Sequence, residues 1–93
     1  MDEVFRALAD PTRRAILDEL TARSGQTLFE LRVRLIENHG SGSSRQAVSQ
    51  HLAVLQEAGL VVARREGRYT FLNLDTSPLE EFVRDVEQRW RPS

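Results

Sequence analysis

The sequence predicts a mainly α-helical domain with about five helices and one two-stranded β-hairpin. Apolar residues recur at helical spacing along most of the chain, which indicates amphipathic helices. Two short runs rich in β-branched and aromatic residues, 60–64 and 69–74, flank the turn sequence 65–68. The length of 93 residues is that of one domain, so we expect a single domain over residues 1–93.

Apolar residues near the N-terminus predict a short first helix over residues 2–9. Asp10 then provides a good N-cap, and Pro11 lacks the amide hydrogen that would go unpaired at a helix start. We therefore expect a second helix from Pro11 to a stop near Ser24-Gly25. Its buried face comprises Ile16, Leu17 and Leu20.

The third helix is predicted by a capping box at Thr27 and Glu30. The Thr27 hydroxyl would accept from the Glu30 amide, and the Glu30 carboxylate would accept from the Thr27 amide. The helix ends near residues 38–40, and residues 40–43 form a flexible loop. Its core face comprises Leu28, Leu31 and Leu35.

The fourth helix begins at Ser43 or Ser44 and ends before Gly59, so it covers residues 44–58. Ser43 is followed three residues later by Gln46, which is a second capping-box pattern. The buried stripe of this helix comprises Val48, Leu52 and Leu55.

A hairpin over residues 61–74 follows, and then a last helix over 77–90 that Ser77-Pro78 caps. A helix, a short connection, a second helix and a hairpin in that order are typical of a winged helix-turn-helix. We expect the first and last helices to form a dimer interface, because each carries an apolar stripe and so small a chain would gain stability by burying them. The alternative is that the last helix is an ordinary core helix. The expected interface residues are Val4, Phe5, Leu8, Leu79, Phe82, Val83, Val86 and Trp90.

Once the buried stripe is subtracted, Arg45, Gln46, Ser49 and Gln50 remain on the outward face of the fourth helix. Arginine forms hydrogen bonds with guanine, glutamine does so with adenine, and serine can bond with either base. This face is therefore suited to the DNA major groove. The alternative is an ordinary solvated helix face.

Three arginines cluster on the hairpin. Alone, they are better explained as protection of an exposed strand edge. Beside a helix with a basic face, a wing that binds phosphate is the stronger interpretation. These residues are Arg64, Arg65 and Arg68.

Residues 44–61 resemble the recognition segment of the ArsR/SmtB family of bacterial repressors, in particular Ser49-Gln50-His51-Leu52 and Ala58-Gly59-Leu60-Val61. Residues 5–17 resemble the family's opening segment, and residues 65–69 its wing. The resemblance implies a homodimer on a palindromic operator. It also places Ser44 at a phosphate, the four outward residues named above on the DNA-reading face, and His51 at a mostly buried position.

Two departures from the family limit what the resemblance implies. The third helix contains no thiols at residues 31–34, and residues 75–93 contain no histidine, so the family's metal sensing is not carried over. The loop 38–43 is also longer than the family's usual turn. We therefore expect a repressor without the metal-binding cysteines, and the sequence identifies no inducer.

The net charge of −1 conceals an uneven distribution. Residues 41–74 carry four arginines and two glutamates, while the flanking segments are net negative. All 13 basic residues are arginine, for which codon bias is the simpler explanation. The basic middle of the chain is consistent with binding to double-stranded DNA.

The remaining composition excludes several classes of protein. The absence of cysteine rules out disulfides and thiolate metal sites and fits a cytoplasmic protein. No segment has the length of a membrane span or the charge pattern of a signal peptide.

The residues offer no catalytic or cofactor site either. His39 and His51 are the only histidines, too few for a zinc site alone, and no nucleophile motif or phosphate loop is present. We therefore expect neither an enzyme nor a cofactor. The remaining alternative is a winged-helix protein-interaction module that does not bind DNA.

Overall fold

The structure, a computed structural model, describes residues 1–92 and confirms the predicted fold class. Five helices and three strands are present in this part of the chain. The helix bounds lie within one or two residues of the predicted ones. In chain order, the elements are α1 (Asp2–Leu8), α2 (Pro11–Ala22), β1 (Gln26–Thr27), α3 (Leu28–His39), α4 (Arg45–Glu57), β2 (Val61–Glu66), β3 (Tyr69–Leu74) and α5 (Ser77–Arg89).

The sheet has three antiparallel strands in the order β1-β3-β2, not the two predicted. The additional strand β1 pairs Gln26 with Leu72 and Thr27 with Phe71. Two residues are too few to show the alternation that identifies a strand, so this pairing left no pattern in the sequence. β1 fastens the base of the hairpin to the segment that leads into α3.

The predicted starts of α2 and α3 are confirmed. The Asp10 carboxylate accepts from the Arg13 amide at 3.1 Å. The Thr27 hydroxyl accepts from the Glu30 amide at 3.2 Å, and the Thr27 amide donates to the Glu30 carboxylate at 3.2 Å, which completes the capping box. These caps satisfy amide hydrogens that have no partner within the helix.

The structure shows which of two adjacent serines caps the start of α4. Ser44 is the N-cap, and its hydroxyl accepts from the Ala47 amide at 3.1 Å. The predicted capping box of Ser43 with Gln46 is wrong, because the Ser43 amide donates to the Ser41 hydroxyl within the loop. Since α3 extends through His39, the connection between the two helices is 40–44 and not 38–43.

The start of α5 also differs from the prediction. Ser77 is the first helical residue, and Thr76 occupies the N-cap without a side-chain bond. Asp75 supplies the missing acceptor, because its carboxylate accepts from the amide and the hydroxyl of Ser77 at 2.9 and 2.8 Å.

The core joins the first four helices to the base of the sheet. The predicted stripes of α2, α3 and α4 all contribute, and α5 contributes no fully buried residue. The buried apolar residues are Val4, Ala7, Ile16, Leu17, Leu20, Leu31, Leu35, Val48, Leu52, Leu55, Ala58, Leu60, Val61 and Leu72.

A buried carboxylate ties α2 to the C-terminal half of α3. Glu19 accepts from Arg34 Nε at 2.8 Å, from Asn38 Nδ2 at 3.1 Å and from His39 Nε2 at 3.0 Å. Burial alone would raise the pKa of Glu19, but these hydrogen bonds outweigh it, so the pKa lies below its ordinary value. The charged form of Glu19 therefore stabilises the packing of α2 against α3.

We expect Glu19→Gln to lower the free energy of unfolding at neutral pH by roughly 1–3 kcal/mol, because a charge-assisted acceptor is lost. Since the folded-state pKa is depressed, the contribution of Glu19 is complete above the ordinary glutamate pKa of 4.5 and is lost as the pH falls through the folded-state pKa. The deficit of the variant should therefore shrink on acidification. Urea unfolding at pH 7 and pH 3, at fixed protein concentration, measures both effects.

The matched control is Glu37→Gln, the same chemical change at an exposed position of α3. It should leave the unfolding free energy within about 0.5 kcal/mol of the parent. A Glu19→Gln deficit that stays constant with pH would contradict a stabilising ionised carboxylate.

Candidate nucleic-acid interface

The outward face of α4 is polar and open to solvent, as predicted. The stripe Val48, Leu52 and Leu55 is buried against the core, which fixes the rotation of the helix about its axis. The side chains on the opposite side of the N-terminal half of α4 are all exposed and none is acidic; the first acid on this face is Glu57, at the far end of the helix. These exposed side chains are Ser44, Arg45, Gln46, Ser49 and Gln50.

Arg13 holds α4 against the end of α1. Its Nη1 donates to His51 Nδ1 at 3.2 Å, while Nε and Nη2 donate to the carbonyl oxygens of Ala7 and Arg6, both at 2.9 Å. An arginine can only donate, so His51 Nδ1 is the acceptor in this contact. Asp10 Oδ2 lies 3.8 Å from the same Nδ1. The orientation of α4 is therefore set jointly by its apolar stripe and by this polar junction.

A groove of about 400 Å³ separates α4 from the hairpin. Arg45, Ser49 and Gln56 of α4 line one side, and Leu52 and Leu72 lie at its floor. The hairpin lines the other side. Its lining residues are Ala63, Arg68, Tyr69 and Thr70. Arg68, which lies 23 positions after Arg45 in sequence, thus shares one groove with the start of α4.

The three hairpin arginines do not share one face. The register pairs Arg65 with Thr70 and Arg64 with Phe71, and side chains alternate between the faces of a strand. Arg65 therefore shares the face of Ala63 and Thr70, which line the groove. Arg64 lies on the opposite face, where its guanidinium is 5.7 Å from the centre of the Phe71 ring.

The hairpin arginines also differ in their partners. Arg64 lies 3.4 Å from Glu66 in an exposed ion pair. Arg65 and Arg68 form no ion pair within residues 1–92, so their charges are available to an external anion. The turn that carries Arg68 is made possible by Gly67, whose φ of +58° is one that residues with a Cβ rarely adopt.

The residues predicted for a dimer interface fall into two groups. Val4 is buried in the core, and Leu8, Leu79 and Phe82 are half-buried and packed against it. Val86 is also half-buried. The other three expose large apolar area: Phe5 is 58%, Val83 52% and Trp90 63% exposed. Phe5 also contacts Phe82, with ring centres 6.2 Å apart, so α1 and α5 present one continuous apolar surface.

Two aromatic residues beside the groove were missed at the sequence level. Phe29 is 74% exposed on α3, and Tyr69 is exposed at the tip of the hairpin. Phe29 follows Leu28 directly, so it lies off the Leu28-Leu31-Leu35 stripe. That offset was the available indication that Phe29 faces outward.

Within residues 1–92, no three side chains of histidine, aspartate or glutamate are grouped as the ligands of a metal ion would be. No helix in the described part of the chain is long and apolar enough to cross a membrane.

Comparison with known proteins identifies the fold and the family. A model described as a helix-turn-helix domain matches residues 8–64. The HTH-type transcriptional regulator YuzN of Bacillus subtilis (strain 168) is 46% identical over 89% of this chain and 90% of its own length. The transcriptional repressor SdpR of the same organism is 32% identical over 89% of this chain and 84% of its own length.

A solved structure gives the same answer. The ArsR-like transcriptional regulator from Rhodococcus sp. RHA1 superposes with a TM-score of 0.80 at 36% identity, over 94% of this chain and 73% of that one. These similarities concern transcriptional regulators and not enzymes. The chain belongs to the ArsR family of DNA-binding winged helix-turn-helix transcriptional regulators, and it lacks the cysteines through which some members bind metals.

Proposed function

We propose that the chain is a transcriptional repressor that binds a palindromic DNA operator as a homodimer. In this proposal α4 enters the major groove and the hairpin contacts phosphates or the adjacent minor groove. The observation that carries the proposal is the exposed face of the N-terminal half of α4, which has no acidic side chain and shares one groove with Arg68 of the hairpin. Repression as the outcome is supported by the similarity to SdpR, a transcriptional repressor.

The side chains on α4 are suited to base readout. A guanidinium forms two parallel hydrogen bonds with guanine, and a carboxamide does so with adenine. Arg45 and Gln46 lie in the first turn, and Ser49 and Gln50 follow one turn later, so base contacts would come from the N-terminal half of the helix. Ser44, at the N-cap, would lie next to a phosphate, because helix N-termini favour anions.

The hairpin supplies charge rather than sequence information. Arg65 and Arg68 lie on the groove side or at the tip without ionic partners in the described chain, as a phosphate contact requires. Arg64 is oriented toward Glu66 and Phe71, so we leave it out of the proposed contact surface. The overall charge of −1 is no obstacle, since the acidic residues lie mainly outside residues 41–74.

A second copy of the chain is the proposed cover for the surface formed by α1 and α5. The exposed side chains of Phe5, Val83 and Trp90 adjoin half-buried Phe82 and Val86. Contiguous apolar surface of this kind marks an association site, and a short chain gains stability by burying it. Twofold symmetry would place the two α4 helices about 34–36 Å apart, one turn of DNA, which is the reason for a palindromic operator.

The test of this function is selection of bound sequences from a random duplex pool, followed by measurement of the salt dependence of binding. A palindrome would support both DNA recognition and twofold symmetry. The affinity should fall steeply as salt rises, because phosphate contacts release counterions. If no duplex is bound even at low salt, the proposal fails and a protein-interaction module becomes the better account.

We expect Arg45→Ala and Gln50→Ala each to reduce the preference for the selected site over random DNA by roughly 1–3 kcal/mol, because a bidentate base contact is lost. Binding to random duplexes should change much less. Fluorescence anisotropy with both duplexes separates the two effects. Arg84→Ala, at an exposed position of α5, is the control for charge. A selected site bound equally well by both α4 variants would contradict the assignment of this face.

Arg68→Ala should weaken binding to selected and random duplexes alike and reduce the slope of log affinity against log salt by about 1. The reason is that one phosphate contact disappears without loss of a base contact. Titrations at four or more salt concentrations measure the slope. A loss confined to the selected duplex would instead indicate base readout by the hairpin.

Trp90→Ala should weaken the dimer roughly tenfold or more, because truncation of a buried interface aromatic costs at least about 1–2 kcal/mol. Phe5→Ala should act in the same direction. Sedimentation equilibrium gives the dimer dissociation constant. Ile36→Ala is the matched control, since Ile36 is also an exposed apolar residue but lies on α3. An unchanged dimer constant in the Trp90 variant would exclude its interface role.

A further inference from the structure

We propose that α3 supplies an additional contact to the DNA backbone, in which Arg32 binds one phosphate in the cleft between α3 and the start of α4. This inference rests on the proposed DNA binding and deepens it. It assigns a role to a residue outside the recognition helix and the hairpin. The contact would position the protein on the duplex without reading sequence.

The cleft lies where α3 and α4 approach each other at their N-terminal ends. It has a volume of about 310 Å³ and is lined by Leu28, Phe29, Arg32 and Arg45. Arg45 and Phe29 also line the groove between α4 and the hairpin, so the cleft and the groove are continuous. An anion in the cleft would therefore be next to DNA bound along α4.

The guanidinium of Arg32 has no carboxylate or other hydrogen-bond partner within residues 1–92. Arg32 is half-buried, and its Nε is fully buried without a hydrogen-bond partner within residues 1–92. Arg34, two residues later on the same helix, shows the usual solution, because its Nε donates to Glu19. The buried Nε of Arg32 is closed to a DNA phosphate, but the terminal Nη1 and Nη2 of Arg32 form no hydrogen bond within residues 1–92 and could donate to one.

The charges around the cleft favour an anion. Two of its four lining side chains are arginines and none is acidic. The nearest acid in sequence, Glu30, is already engaged, since its carboxylate accepts from Thr27 and lies 3.5 Å from Arg23. A guanidinium keeps its charge at all accessible pH values and matches a phosphate with two donors.

The position of Phe29 favours a phosphate that belongs to DNA over a free anion. Its ring is largely exposed beside both arginines, which leaves apolar surface next to the anion site. A free phosphate would leave that surface wet, whereas a nucleotide brings a deoxyribose that can pack on it. In helix-turn-helix proteins the helix before the recognition helix crosses the DNA backbone, which is where this cleft lies.

The test compares Arg32→Ala and Arg32→Gln with the parent on the selected and random duplexes. We expect both variants to reduce the salt slope by about 1 and to weaken both duplexes by a similar factor, with the selected sequence unchanged. Arg84→Ala is the control that removes a charge away from the proposed DNA surface. Thermal unfolding at the same protein concentration shows whether each variant is folded, and Arg32→Gln retains most of the side-chain packing if Arg32→Ala does not fold.

Duplexes with a single methylphosphonate identify the contact directly. The parent should lose affinity at one backbone position per half-site at which the Arg32 variants lose none. A free-anion site is tested by following the Arg32 Nε–H signal in nuclear magnetic resonance. It should shift on addition of duplex and not on addition of inorganic phosphate at the same ionic strength; saturation by millimolar phosphate would overturn the assignment to DNA.

The possible outcomes distinguish a failure of the proposed DNA binding from a failure of the Arg32 contact alone. If the parent binds no duplex, the proposed function itself fails. If the parent binds DNA with a steep salt slope but Arg32→Ala and Arg32→Gln keep that slope, only the role of Arg32 is overturned. A variant that instead alters the selected sequence would show that Arg32 reads bases, which also contradicts a backbone contact.

Discussion

The arrangement of the functional surfaces depends on three hydrogen bonds donated by the Arg13 guanidinium. One guanidinium satisfies two carbonyl oxygens at the end of α1 and the ring nitrogen of His51 on α4. The last carbonyls of a helix have no partner inside it, so Arg13 caps α1 while it fixes α4. The helix proposed for dimer formation and the helix proposed for base reading are thereby joined through a single side chain. In a symmetric dimer, the separation of the two α4 helices would follow from that joint.

Electrostatics acts locally in this chain rather than through the total charge. The buried Glu19 neutralises the half-buried Arg34, and Glu66 lies beside Arg64 on the outer face of the hairpin. By contrast, Arg32, Arg45 and Arg68 line the groove or the adjoining cleft, and no ion pair holds them within residues 1–92. The fold thus removes some arginines from competition for an anion and leaves others available. A protein with nearly balanced charge can carry a basic surface in this way.

Local chemistry explains which features were predictable from the sequence. The cap at Thr27 and the stripe of α4 depend on residues three or four positions apart, so the helices and the outward face of α4 were evident. The choice between Ser43 and Ser44 was not, since it depends on a bond within the loop. The strand β1, the Glu19 cluster and the Arg32 cleft bring together residues that are distant in sequence or lie on different elements. Such features require knowledge of how α3 packs, which no local pattern encodes.

The pairing of β1 with β3 has a consequence for how the hairpin moves. At its base, Phe71 and Leu72 lie between two neighbouring strands, whereas the tip from Arg65 to Thr70 has hydrogen-bonded neighbours on one side only. Amide hydrogen exchange should consequently be slow at the base and fast at the tip, since strand ends with few partners open locally. The base of the hairpin is therefore rigid, and its tip is flexible. If the hairpin contacts DNA as proposed, a flexible tip would let Arg68 adjust to grooves of different width while α4 keeps its angle.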